Sequence, residues 1–363
     1  MEKVKRKLDS TVHSKKAKIK SFDQNGPAMV NSNIFGLPFN SEESEIVLIP
    51  VPWEATVSYG GGTAKGPEHI LEASAQVDLF HPEFPELWKA GISMEPVPGK
   101  LYKISKKCKK LAAKVIDAQS GVLSIKEEKG IDSLLEEVNA GSLMMINDVY
   151  ARTSAWLSKG KLVGLVGGDH STPLGFFRAL ADKYASFGIL QIDAHMDLRK
   201  SYEGFTYSHA SIMYNALQLK QISKLVQIGI RDFCQEEQEY VTRNSKKVKV
   251  FTYARLQEEQ YSGKSWKKQC DEIIAALPTH VHVSFDIDGL DPKLCPNTGT
   301  PVPGGFAFHE VTYLLSALAN SGKKIISFDL NEVSPGEDDW NGNVAARMLF
   351  HLCGVLAKSN GSI

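Results

Sequence analysis

The chain is poor in cysteine, carries no surplus of either charge and contains no long hydrophobic run. Its five cysteines, Cys108, Cys234, Cys270, Cys295 and Cys353, are odd in number, widely spaced and form no CxxC pair. That speaks against a disulfide framework and fits reduced thiols in a cytoplasmic protein. The 42 basic and 42 acidic residues leave a formal net charge of zero, which argues against a general nucleic-acid or acidic-membrane partner. No apolar run approaches the roughly 20 residues that span a bilayer, and no signal peptide opens the chain. The lysine and hydroxyl pattern of a P-loop is missing, as is G-x-G-x-x-G in a dinucleotide-binding setting. What the chain does have is 363 residues and 42% hydrophobic content, enough to bury one large core without a second domain.

Residues 1 to 30 are lysine-rich and short of apolar side chains, so a disordered basic tail is expected there. Residues 31 to 363 read as a single domain. Asn33-Ile34-Phe35-Gly36-Leu37-Pro38-Phe39 is apolar enough to dock, near a neighbouring subunit. Ile46 to Val51 reads as the first strand, followed by the Gly60-Gly61-Gly62-Thr63 loop and a helix opened by Gly66-Pro67-Glu68. The proline-rich stretch from His81 to Pro98 reads as a loop. Lys100 to Gln119 and Ile131 to Trp156 read as helices. From Lys161 the pattern is regular. Apolar strands at 162–166, 187–192, 225–230, 248–251, 281–285 and 325–330 alternate with helices, the last of them at about 342–356. Continuous apolar strands between helices mean a three-layer α/β/α fold with a mostly parallel, doubly wound sheet covered on both faces. Sites in such sheets lie beyond the carboxyl ends of the strands.

The acids and histidines fall at those ends. Gln191-Ile192-Asp193-Ala194-His195-Met196-Asp197 follows one strand, and Ser284-Phe285-Asp286-Ile287-Asp288-Gly289-Leu290-Asp291-Pro292 ends another. In an extended segment residues i, i+2 and i+4 point the same way, so Asp193, His195 and Asp197 can converge, as can Asp286 and Asp288. With His170 from Gly167-Gly168-Asp169-His170-Ser171 the set is four carboxylates and two imidazoles. Clustered carboxylates repel unless cations sit among them, and two divalent ions would balance four. Oxygen-rich ligation with a little imidazole suits Mn²⁺ better than a structural zinc site.

Gly-Gly-Asp-His-Ser, Asp-Ala-His-x-Asp and Ser-Phe-Asp-Ile-Asp-Gly-Leu-Asp-Pro together resemble the three signatures of the ureohydrolases, the arginase and agmatinase family. The resemblance runs from about Glu45 to Leu356, with the motifs in the family's order. It implies an arginase-like fold and a binuclear hydrolase that cleaves a guanidino carbon–nitrogen bond to release urea. One ion would be held by His170, Asp193, Asp197 and Asp286, the other by Asp193, His195, Asp286 and Asp288. Asp197 is expected to act in catalysis as well as in ligation. By the same resemblance Glu332, in Leu330-Asn331-Glu332-Val333-Ser334-Pro335, binds the guanidinium, for which a carboxylate has the right charge and geometry. His209 shuttles a proton to the leaving amine, a role suited to an imidazole, and Thr300 lines the pocket. The Gly-Thr-x-x-Gly-Pro turn at Gly62 lies at the site's rim, where family members often carry an arginine that this chain lacks.

The substrate is read from the loop Leu198-Arg199-Lys200-Ser201-Tyr202-Glu203-Gly204-Phe205, which looks like that of agmatinases. Glu203 could meet a distal ammonium, making agmatine or a similar decarboxylated guanidino compound the first choice. Two departures from the family pattern stand against this: an atypical insertion at about 80 to 145, and Asp338-Asp339-Trp340-Asn341-Gly342-Asn343, whose Trp340 could shorten the pocket. A short pocket would favour free guanidine, and longer relatives that hydrolyse it make Ni²⁺ the second metal to consider. A one-metal deacetylase of related fold and a non-catalytic metal-binding regulatory protein are the readings from other classes. A homo-oligomer, trimer or hexamer, is the expected assembly. His81, His280, His282 and His351 match no motif and read as structural.

Overall fold

A computed structural model describes residues 15–28, 32–57, 59–120 and 130–363. Its centre is an eight-stranded sheet: β1 (Ile46–Val51), β2 (Ile92–Met94), β3 (Leu162–Gly167), β4 (Phe187–Ile192), β5 (Ile222–Ile230), β6 (Val248–Thr252), β7 (His280–Asp286) and β8 (Lys324–Asn331). The order across the sheet is β2-β1-β3-β8-β7-β4-β5-β6, and every pairing is parallel. The sheet is therefore wholly parallel, where the sequence leads one to expect a mostly parallel one. All residues of β1 and β4 are buried, as strands covered on both faces must be.

Each face has its own core. On one, Leu190, Val283 and Phe328 pack with residues of the helices Trp266–Ala275, Phe308–Ala319 and Trp340–Ser359. On the other, Ile49, Leu165 and Ile189 pack with residues of Ile131–Ser158 and Leu174–Lys183. Among the described residues no helix is long and apolar enough to cross a membrane.

Several elements differ from what the sequence leads one to expect. The His81 to Pro98 stretch contributes the short edge strand β2, three residues being too few to show a period. The helices Gln235–Arg243 and Tyr253–Tyr261 carry no clear sequence signal, because each buries only one side chain, Glu237 and Leu256. The expected insertion forms the helices Gly99–Gln119 and Ile131–Ser158. In the first, Leu101, Ser105, Cys108, Ala112 and Val115 recur every three or four residues and are buried, one stripe of an amphipathic helix.

Of the basic tail expected to be disordered, residues 1–14 lie outside the described residues, but Lys15–Ser21 is helical. Two of its lysines are used rather than solvated: Lys15 Nζ donates to Ala90 O at 2.6 Å, and Lys18 Nζ to Pro38 O at 2.9 Å and Glu43 Oε2 at 2.7 Å. The Phe22 ring lies 5.4 Å from that of Trp88. The apolar segment after it docks into the chain's own core, burying Ile34, Phe35, Leu37 and Phe39.

Candidate metal centre and cleft

The sheet order brings the motifs together. Strands β3, β8, β7 and β4 are consecutive neighbours, and His170, Glu332, Asp286 and Asp193 follow or end them in that order. Register aligns the strand ends, pairing Val166 with Leu330, Leu330 with Phe285 and Phe285 with Ile192. The polar side chains beyond this row must converge.

His170 Nδ1 lies 3.0 Å from Asp193 Oδ2, 3.1 Å from Asp197 Oδ2 and 3.2 Å from Asp286 Oδ2. His195 Nδ1 lies 3.0 Å from Asp288 Oδ2 and 3.6 Å from Asp193 Oδ1. Two groups able to hold an ion result, His170–Asp193–Asp197 and Asp193–His195–Asp288, sharing Asp193. Asp286 stands beside the first. Backbone amides fix one oxygen of each of three acids: Asp193 Oδ1 accepts from His195 N–H at 2.6 Å, Asp286 Oδ1 from Asp288 N–H at 2.9 Å and Asp288 Oδ1 from Ala194 N–H at 2.9 Å.

A buried network stands behind the ligands. His282 bridges Ser327 Oγ at 2.8 Å and Asp329 Oδ2 at 2.5 Å. Ser284 Oγ donates to Asp329 Oδ1 at 2.9 Å and lies 3.0 Å from His170 Nε2. With its hydroxyl proton committed to Asp329, Ser284 can only accept, so His170 carries its proton on Nε2 and turns the bare Nδ1 towards the carboxylates. That Nδ1 is buried and makes no hydrogen bond. A lone pair facing three carboxylate oxygens is a donor set that fits a hard divalent cation. The crowding shows in the acidities too. Burial and the neighbouring Asp193 push Asp197 up to about 7. Burial, Asp288 and Asp193 hold Asp286 well above the carboxylate range. Burial pulls His195 down, but Asp288 and Asp193 outweigh it and raise the imidazole to about 12.

Glu332 stands next to this cluster. Its Oε1 accepts from His170 N–H at 2.9 Å, while Oε2 is buried without a partner. Glu332, His209, Thr300, Gly299, Gly60 and Tyr59 line one recess. A Cβ on Gly299 would approach Glu332 Oε2 to 2.9 Å, so only glycine leaves that oxygen its opening. The recess shares Tyr59, His209 and Thr300 with a wider cleft of about 480 Å³ bordered by His195, Asp197, Asp232 and Glu237. Burial, with the charge of His195, holds His209 down to about 4. Asp197 and Glu332 both have left-handed backbones, φ 55° and 63°, at a cost of about 1–3 kcal/mol each.

The structure thus brings together His170, Asp193, His195, Asp197, Asp286, Asp288, Glu332, His209 and Thr300. Two expected substrate residues stand elsewhere. Trp340 is 47% exposed and donates its indole N–H to Lys293 O at 3.1 Å; it starts the last helix and lines neither recess nor cleft. Glu203 sits in the Tyr202–Phe205 turn against the Gly99–Gln119 helix, accepting from Gln119 Nε2 at its carbonyl, and also lines neither. Gln191, Ser284 and Asp329 stand against the centre although sequence reasoning gave none of them a role; Gln191 and Ser284 open the two motifs, and each of the three is a polar residue in an apolar strand. Gln191 and Ser284 stand two positions before Asp193 and Asp286 and share their side of the strand. Gln191 Nε2 donates to Asp193 Oδ2 at 2.7 Å.

A parallel α/β sheet whose central strands end in paired groups able to hold ions, beside a buried free carboxylate, fits the class of metal-dependent enzymes that bind a small cation. The comparisons with known proteins narrow this class. The profile of the Arginase family matches residues 44–354, and the chain belongs to that family. It is a ureohydrolase, an enzyme acting on carbon–nitrogen bonds of linear amidines. It is 30% identical over 320 residues to the N(1)-aminopropylagmatine ureohydrolase of Thermus thermophilus, covering 88% of this chain and 93% of the relative. It is 29% identical over 299 residues to the agmatinase of Bacillus anthracis, covering 82% and 86%. The fold matches the agmatine ureohydrolase of Thermoplasma volcanium with a TM-score of 0.68 at 23% identity, covering 92% and 97%.

Proposed function

We propose that this enzyme hydrolyses agmatine or an N-substituted agmatine to urea and the corresponding amine, using two divalent ions. The observation that carries the reading is the buried, unpartnered Oε2 of Glu332, opening into a recess beside the ion-binding groups. A planar guanidinium can present N–H donors to it. His170, Asp193, Asp197 and Asp286 would hold one ion, and Asp193, His195, Asp286 and Asp288 the other. When bound, the pair supplies a water acidic enough to attack the guanidinium carbon at neutral pH.

The chain's own residues do the rest. Glu332 holds the guanidinium through Oε2 while its Oε1 stays on His170 N–H. Asp197 is the carboxylate that takes a proton from the attacking water. His209, neutral and bordering the same cleft as Asp197, relays to the leaving amine the proton that Asp197 has taken, so both residues end as they began when the carbon–nitrogen bond breaks. Thr300 borders the same passage. The cleft wall carries Asp232, Glu237 and Arg199; with both Glu237 oxygens held by the amides of Leu198 and Cys234, Asp232 is the acid left to meet a cationic chain. The names of the aminopropylagmatine ureohydrolase and agmatinase relatives support the same substrate class.

Mn²⁺ is proposed ahead of Ni²⁺ because carboxylate oxygens outnumber imidazoles. Four of the five free cysteines are buried, in keeping with a reducing cytoplasm. A homo-oligomer is proposed, with support from the exposed Phe80 and Tyr313 beside an apolar groove. The deciding experiment is urea release from agmatine, N-(aminopropyl)agmatine, arginine and guanidine after loading with Mn²⁺ or Ni²⁺. The two agmatines are expected to have the highest kcat/KM. Fastest turnover of guanidine would overturn the substrate, and no urea from any of the four would overturn the reading.

A further inference from the structure

Neither helix of the atypical insertion contributes an ion-binding group, yet each wall of the cleft is tied to them. On one side stands Glu54, buried just after β1. Its Oε2 accepts from the amides of Gly62 at 2.8 Å and Ala64 at 3.2 Å, giving a glycine-rich turn a fixed shape. Its own N–H donates to Ser105 Oγ at 2.8 Å, and its Oε1 is paired with Lys109 Nζ. Ser105 and Lys109 are one turn apart on the helix Gly99–Gln119. The turn so fixed carries Tyr59 and Gly60 into the recess, where Gly60 N–H donates to Gly299 O at 3.0 Å. On the other side Phe205 is buried with Ala112, Val115 and Val138. Asn139 Oδ1 accepts from Thr206 N–H at 3.0 Å, three residues before His209.

We propose that Glu54 and Lys109 are positioning residues for substrate: through them the helix Gly99–Gln119 sets the shape of the turn that walls the recess at Tyr59 and Gly60. The inference rests on the recess being the guanidine site. A buried carboxylate with two amide donors needs a cation to balance it. Without Lys109 it must protonate or turn away, and the two amides then lose their acceptor. Lys109 itself is half-buried, and desolvation lowers its ammonium pKa, so the pair is drawn partly out of water.

The test uses the full, metal-loaded chain as Lys109→Met, Lys109→Arg and the double variant Glu54→Gln/Lys109→Met. Urea kinetics and amide hydrogen exchange are both read. In Lys109→Met the KM for the preferred guanidine should rise about tenfold, the cost of losing a partly exposed charge partner. The kcat should stay within about twofold and the metal content should not change. Exchange at Gly62 and Ala64 should quicken while the β4 and β7 amides stay protected. Lys109→Arg should retain the wild-type KM, and the double variant should recover most of the loss, since it buries no uncompensated charge. Unchanged KM and exchange in Lys109→Met would overturn the proposal. So would faster exchange throughout the sheet, which would make the pair a brace for the whole fold. If wild type releases no urea from any guanidine, the functional reading fails, and local exchange at Gly62 and Ala64 still decides whether the tie exists.

Discussion

Replacing Glu332 by glutamine separates the charge of this side chain from its shape. In the wild type Oε1 is committed to His170 N–H at 2.9 Å, and Oε2 is buried and free. A glutamine must turn its amide oxygen towards His170 N–H, because the opposite orientation sets two donors against each other. Its NH₂ then takes the place of Oε2 and meets a guanidinium that has only N–H groups to offer. The substrate loses a buried, charge-assisted partner and gains a repulsive one, at a cost of about 3–4 kcal/mol. That corresponds to roughly 10²- to 10³-fold in kcat/KM for urea release. The backbone strain at φ 63° is common to both residues, so stability should change little. Neither ion-binding group includes Glu332, so metal content by elemental analysis should equal that of wild type. A kcat/KM within about fivefold of wild type, or loss of an ion, would refute the assignment.

His195→Ala removes the imidazole from the Asp193–His195–Asp288 group; elemental analysis should fall from two ions to one, with most activity lost, and two ions retained would remove His195 from the set. Ser284→Ala deletes the acceptor that orients His170, so metal titration should show about 10–100-fold weaker binding, and unchanged affinity would mean the network does not orient the ligand. His351, far from the centre, is held down to about 4 by burial and by His81, against about 6.5 in an unfolded chain. Between those values only the unfolded state takes up the proton, so stability falls as pH falls from 6.5 towards 4, by on the order of 3 kcal/mol at most. Denaturant unfolding of His351→Gln at pH 7 and pH 5 should show a smaller pH dependence than wild type, and an equal one would exclude His351 as its source.

Much of the site can be read from the sequence because it is local. Asp193, His195 and Asp197 share a side of one extended segment whatever surrounds it, and Asp286 and Asp288 do the same. The apolar runs before them fix where the strands end, and continuous burial of β1 and β4 follows from runs with no polar alternation. Lys15 and Lys18 are illegible for a related reason. Their composition is that of a solvated tail, and nothing local reveals that Ala90 O and Pro38 O wait as acceptors.

Only the tertiary structure decided which strand ends are neighbours. His170 and Glu332 are 162 residues apart, yet joined by a hydrogen bond. They meet because β3 and β8 pair in the order that lets helices cover both faces of the sheet. The same holds for Glu54 and Lys109, 55 residues apart, and for Ser284 and Asp329 beneath His170. Conversely, Trp340 and Glu203 look like pocket residues by their place in the chain, yet neither borders the recess or the cleft. Side-chain alternation is a property of a single strand, so the sequence alone carries it. Strand order and the direction of a loop depend on which distant surfaces bury one another, and those exist only once the chain has folded.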